Sequence, residues 1–134
     1  MASMKPEVAK TYLGLQKDGF LSRCPDSPNC VCSCHPDDKK SFSEPYLLKT
    51  NIITTQTKLR KIIDQWPGAT LVKETSDYWH VEFVSKIMKF VDDLEVLFDD
   101  DKKLMHIRSA SRLGYSDLGA NRKRVTKLFA QLDK

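Results

Sequence analysis

From Thr55 onward the chain acquires a periodicity that it lacks before. Leu59, Ile62, Ile63 and Trp66 fall at the i, i+3, i+4, i+7 spacing of one apolar helical stripe, which predicts a helix over 55–66 with Thr54 as its cap. Pro67 and Gly68 end it, because proline disfavours helical geometry in the residue before it and glycine tolerates a left-handed turn. The period then changes from that of a helix to that of a strand. Segments 70–74, 78–85, 91–99 and 103–109 are predicted strands, the first two separated by Ser76 and Asp77 and the last two by 99–102, spacings that suit antiparallel hairpins. A last helix over 118–132 carries Val125, Leu128, Phe129 and Leu132 on one stripe, with Ser116 or Asp117 positioned to cap it.

Alternation assigns the faces of the strands. Trp79, Val81 and Phe83, then Leu94, Val96 and Phe98, then Met105 and Ile107 share the side that the two helices cover. The expected fold class is α+β: a four-stranded antiparallel sheet in the order α-β-β-β-β-α, with both helices on one face. The opposite face receives His80, Glu82, Asp93, Glu95, His106 and Arg108, with Tyr78, Val84, Leu97 and Leu104 among them. Since antiparallel sheets often leave one face to water, this face is expected to be solvated.

Residues 1–50 read differently. Five of the six prolines and all four cysteines lie there without sustained periodicity, and only Val8, Tyr12 and Leu15 suggest a short helix. We expect an irregular arm over 1–50 packed on an α+β core over 51–134, together one domain, as suits a chain of 134 residues. A hydrophobic fraction of 40% and a charged fraction of 30% describe an ordinary soluble protein. No apolar run approaches the ~20 residues of a membrane span, and no secretory signal is visible at the start, so a cytoplasmic location is expected.

The net charge of +4 matters through its distribution. Residues 92–101 hold six acids and no base, whereas 108–124, RSASRLGYSDLGANRKR, holds five bases, three serines and one acid. This is not the basic stripe with interleaved aromatics of a nucleic-acid binder. The second segment precedes a helix start, where free amides and the helix dipole favour an anion. Arginine forks match carboxylate or phosphate, so Arg108, Ser109, Arg112, Ser116, Asn121 and Arg122 are candidate ligand-binding residues. A competing use of those arginines is structural. In a hairpin the start of the third strand lies beside the end of the fourth, which makes Asp92, Asp93 and Asp117 candidate ion-pair partners.

Other chemistry is less complete. Cys24, Cys30, Cys32, Cys34 and His35 are soft ligands, but their crowding into one run departs from the paired knuckles of structural zinc sites, so no metal and no cofactor is assigned. A Cys24–Cys30 disulfide requires an exporting compartment, and reduced thiols are the expectation. There is no phosphate-cradling glycine motif and no nucleophile elbow.

Three blocks carry a family resemblance: 13–33 (LGLQKDGFLSRCPDSPNCVCS), 90–98 (FVDDLEVLF) and 107–124 (IRSASRLGYSDLGANRKR). In this order they resemble the bacterial and plant family of domain of unknown function 1499. Cys32 and Cys34 stand where that family usually has serines, and the histidine it often carries before an Ile-Glu-Pro-like stretch is not evident in 41–45. The resemblance implies no reaction, cofactor or ligand. The expected function is therefore a binding module for an anionic small molecule, a lipid headgroup or an acidic partner segment. An enzyme using His80, Glu82, Glu95 and His106 on the open sheet face, and a structural or assembly subunit, are the alternatives.

Overall fold

A computed structural model describes residues 12–114 and 117–134. Within them the element order is β1 (Cys30–Cys32), β2 (Tyr46–Leu47), α1 (Ile52–Gln65), β3 (Ala69–Glu74), β4 (Tyr78–Val84), β5 (Val91–Asp99), β6 (Leu104–Ser111) and α2 (Ala120–Leu132). This is the α+β arrangement of two helices and an antiparallel sheet. The sheet has six strands rather than four, in the order β1-β6-β5-β4-β3 with β2 also paired to β6. The two additional strands come from the arm. They are three and two residues long, too short for alternation to reveal.

α1 begins earlier than its apolar stripe. Its cap is Asn51, whose side chain accepts from the Thr54 backbone N–H at 2.8 Å, in place of the expected Thr54. Asn51 lies outside the periodic residues, and the cap position is set by backbone geometry rather than by the stripe. At the other end Gly68, at φ +82°, brings its backbone against β4, with Val84 N–H donating to the Gly68 carbonyl at 2.9 Å. α2 starts at Ala120 instead of 118, because Leu118 takes a left-handed φ of 54°. Asp117 then satisfies the exposed amides, accepting from Gly119 at 2.7 Å and Asn121 at 3.0 Å. Ser116, the other expected cap, lies outside the described residues. So does Val8 of the expected short helix, and 12–20 forms turns rather than an α-helix.

The principal core sits between the sheet and both helices. Leu59, Trp79, Val81, Leu94, Val96, Met105, Ile107, Val125 and Leu128 are buried there, the faces that alternation assigns. Val31 of β1 and Tyr46 of β2 join the same core.

The opposite face is not solvated. The arm crosses it, and Leu21, Cys32, Tyr78 and Leu97 form a second buried cluster flanked by Cys24 and Cys34. His80, Asp93, Glu95 and Arg108 are buried with them. Tyr78 and Leu97 supply apolar area that gains from cover, and the charges beside them tolerate it because they are paired. The arm is also closed on itself by a Cys24–Cys30 disulfide, while Cys32 and Cys34 are free thiols. This corrects the expectation of four reduced thiols: β1 and the preceding turn hold the two Cα atoms 5.6 Å apart, within bridging range.

Candidate functional site

The two faces of β5 and β6 sort the chemical residues of 92–124 into separate places. Asp92 pairs in register with Ser111 and Asp93 with Ala110, so the adjacent aspartates point to opposite sides of the sheet.

On the arm side, Arg112 donates Nε to Asp93 Oδ2 at 2.6 Å and Nη2 to Asp93 Oδ1 and Glu82 Oε2, both at 2.8 Å. His80 Nε2 meets Asp93 Oδ1 at 2.7 Å. Burial works against the charge on Asp93, yet the hydrogen bonds with Arg112 and His80 hold it below the usual aspartate value. The same contacts raise Arg112, which stays protonated. His80, Glu82 and Asp93 have donor atoms within 4.8 Å of one another, a spacing open to a metal ion. Arg112 already supplies the cation to both carboxylates.

One step along the sheet, Glu95 is fully buried. Its Oε2 accepts from Tyr78 Oη and from Gly14 N–H, while its Oε1 lies 3.6 Å from Arg108 and has no hydrogen-bond partner. Burial is the leading cause that pushes the Glu95 carboxyl up, opposed by Tyr78 and Arg108. Arg108 is itself held by the Ser22 carbonyl at 3.1 Å. His106 is elsewhere, with Nδ1 2.9 Å from Ser33 Oγ. Ser33 Oγ also accepts from Ile107 N–H, and burial lowers the His106 value, favouring the neutral ring. His80, Glu82, Glu95 and His106 thus belong to three separate groupings beneath or beside the arm, not to one accessible constellation.

Cys32 pairs in register with Arg108, and Cys34 donates its backbone N–H to Cys32 Sγ at 3.5 Å. The hydrogen bond between the two sulfurs lowers Cys32 and raises Cys34, so they share one proton-donating contact. With Cys24 and Cys30 bonded to each other, the cysteine run does not present a set of free thiolates.

On the helix side, Asn121 is fully buried at the start of α2. Its Nδ2 faces the Asn29 carbonyl, Ser111 Oγ and Asp117 Oδ2 at 2.7–3.1 Å, and its Oδ1 accepts from Ser109 and Arg124. Arg124 reaches Asp92 at 2.8 Å. Arg122 turns outward to the carbonyls of Phe42 and Lys40. The three guanidinium groups of Arg108, Arg112 and Arg122 therefore do not converge at the amino end of α2. Arg108 and Arg112 lie on the arm side of the sheet and Asn121 on the helix side, and Arg122 borders a separate cleft of about 450 Å³ beside the Cys24–Cys30 loop.

A larger cleft opens where the end of α1, the β4–β5 turn and the approach to α2 meet. Its volume is about 890 Å³, within the range of small-molecule pockets. Trp66, Phe83, Phe90 and Leu113 give it an apolar lining, and Lys86, Lys89 and Arg124 supply cations. The Trp66 and Phe83 rings pack edge to face at 5.1 Å, and the Arg124 guanidinium lies 4.6 Å from the Phe83 ring centre. Asp92 neutralises Arg124. Neither Lys86 nor Lys89 has an acidic partner within salt-bridge distance among the described residues, and these two lysines have their charge available.

The sequence did not single out this cleft, because Trp66 and Phe83 belong to core stripes and their second role depends on what is absent above them. One signal was present. The turn 86–89 reads Lys-Ile-Met-Lys, apolar where hairpin tips are ordinarily polar.

Comparison with known families gives one match: the model described as protein of unknown function (DUF1499) matches residues 20–132. No curated protein and no solved structure matches the chain. No helix among the described residues is long and apolar enough to cross a membrane.

Proposed function

We propose that this chain, which belongs to the DUF1499 family of proteins of unknown function, is a binding module for an anionic amphiphile, a small molecule with an apolar body and an acidic head. The observation that carries this reading is the end cleft, lined by Trp66, Phe83 and Phe90 together with Lys86 and Lys89, which have no acidic partner among the described residues. An apolar body placed over Phe83 leaves water, and an acidic head meets ammonium groups that have no acidic partner among the described residues. The anion anticipated from the sequence is kept; the cations that receive it are different. Arg108 and Arg112 are committed to buried carboxylates, and releasing either leaves an uncompensated charge.

An enzyme on the arm-covered face lacks an equal basis. His80 and Glu95 are at most 7% exposed, and no substrate reaches them while the arm is in place.

The test uses cis-parinaric acid, a fluorescent fatty acid, and its methyl ester. Trp66 lines the cleft, so bound probe receives energy from its indole. The acid is expected to bind more tightly than the ester, and Lys86→Ala/Lys89→Ala to weaken the acid severalfold while leaving the ester unchanged. Absence of acid binding, or equal binding of acid and ester in both proteins, refutes the reading.

A further inference from the structure

The rim of the end cleft is apolar on its outer side as well. In the turn between β4 and β5, Ile87 is 85% exposed and Met88 65%, with Phe90 next to them at 50%. Across the cleft, Leu113 and Leu118 are exposed as well, Leu118 at 88%. These five are half of the ten exposed large hydrophobic side chains among the described residues. They gather at one end because Val84 pairs with Val91 and Asp92 with Ser111, which brings the end of β4, the start of β5 and the end of β6 together.

The tip is held in place from below. Ser85 N–H donates to the Phe90 carbonyl at 2.8 Å, and Phe90 N–H to Ser85 Oγ at 2.8 Å. Lys89 and Leu118 both have positive φ, at 58° and 54°, a conformation uncommon for residues other than glycine. Such outliers persist only where the surrounding structure enforces them, and they cluster at functional surfaces.

Charge indicates what meets this end. Lys86 and Lys89 flank Ile87 and Met88, and no acid occurs between Glu82 and Asp92. An apolar tip flanked by two lysines complements an anionic lipid surface, where acyl chains take the apolar side chains and the lysines reach the headgroups. The apolar residues also stand on two loops with the open cleft between them. A rigid protein partner would have to span that opening, whereas fluid acyl chains fill around each tip separately.

We propose that this end of the molecule docks on anionic bilayers, inserting Ile87 and Met88 with Lys86 and Lys89 at the level of the lipid phosphates. Docking turns the mouth of the cleft toward the membrane. Insertion does not depend on the cleft being occupied, since Ile87 and Met88 are not among the residues that line it, whereas Lys86 and Lys89 do line it and are shared with the proposed ligand site.

The experiment is flotation of the full chain with phosphatidylcholine vesicles, prepared with or without phosphatidylserine. The protein is expected to float with the phosphatidylserine vesicles and to remain below with phosphatidylcholine alone. Ile87→Glu/Met88→Glu should reduce flotation at least about tenfold, the change from insertion to repulsion. Lys86→Ala and Lys89→Ala should each reduce it about fivefold, an effect that added salt suppresses. All four side chains are exposed, so an unchanged thermal midpoint establishes that the variants are folded. The same Ile87→Glu/Met88→Glu protein should still bind the methyl ester of cis-parinaric acid, whose binding does not depend on Lys86 and Lys89, which separates loss of docking from loss of cleft binding. The proposal is overturned if the unsubstituted protein ignores phosphatidylserine vesicles or if the glutamate variant floats equally well. It is also overturned if the glutamates change the elution volume on size exclusion and not flotation, for then the surface belongs to a second copy.

Discussion

Arg112 distinguishes a braced loop from a ligand-ready one, and replacing it by Met tests which it is. Methionine keeps most of the side-chain volume but removes the guanidinium, leaving Asp93 buried at 3% exposure with only His80 against it. The pair being broken is two-pronged, at 2.6 and 2.8 Å, and its side chains are 11% and 4% exposed, so solvent screens it little. Removing one partner from such a pair costs about 3–5 kcal/mol. For a chain of this length that lowers the thermal midpoint by roughly 10–20 °C. Urea denaturation followed by Trp fluorescence measures it.

The dependence on pH supplies a second readout. Asp93 is held below its ordinary value in the folded protein. Its contribution to stability is therefore present above the unfolded aspartate value of about 3.9 and is lost as pH falls through the lower, folded value. In Arg112→Met the guanidinium no longer holds the carboxylate down, and burial then raises it. The variant gains stability relative to the parent as the pH falls from neutral, so the gap between them narrows in acid. Asp93→Asn in the same background should recover about 2 kcal/mol, since the uncompensated charge is gone. A loss under about 0.5 kcal/mol, a gap that does not change with pH, or the same loss with Asp93→Asn present would show that Arg112 is not committed to the fold.

Two other substitutions examine the frame around the end cleft and the arm. A Cβ on Gly68 would stand 2.5 Å from the Val84 carbonyl oxygen at a φ of +82°, so Gly68→Ala should cost more than about 1 kcal/mol in urea denaturation; a neutral result would mean that the α1–β3 turn yields easily. Cys24→Ser/Cys30→Ser removes a bridge across a sequence separation of 6, and should lower stability by about 2 kcal/mol, a difference that vanishes when the parent protein is measured in reductant. Persistence of the difference in reductant would assign the loss to packing of the sulfurs instead.

Much of the frame is present in local sequence. The stripe Leu59, Ile62, Ile63 and Trp66 gives α1, and the alternation of Trp79, Val81 and Phe83 gives both β4 and the side it buries, because side-chain direction follows backbone period within a few residues. The same local rule sends Asp92 and Asp93 to opposite faces. Hairpin register then brings them beside β6, which limits the residues each can meet.

Which partner each charge takes was decided elsewhere. Arg108 is held by the Ser22 carbonyl, 86 residues away, Glu95 by Gly14, 81 residues away, and Asn121 by the Asn29 carbonyl, 92 residues away. No period connects such positions, and the arm has none of its own, so neither its strands nor its cover over His80 and Glu95 could be read from it. The end cleft has the same origin. Its lining comes from residues 66–68, from 83–86 with 89, 90 and 92, and from 111, 113, 114, 117, 120 and 124, and its shape is a property of how separately legible segments meet. The sequence by itself determined which side of each element is apolar, through backbone geometry that acts over one or two turns. Only the tertiary structure decided which of those sides would be covered, which arginines would be neutralised, and that Lys86 and Lys89 would stand beside an apolar opening with no acidic partner among the described residues, because those outcomes depend on contacts between segments that local geometry does not constrain.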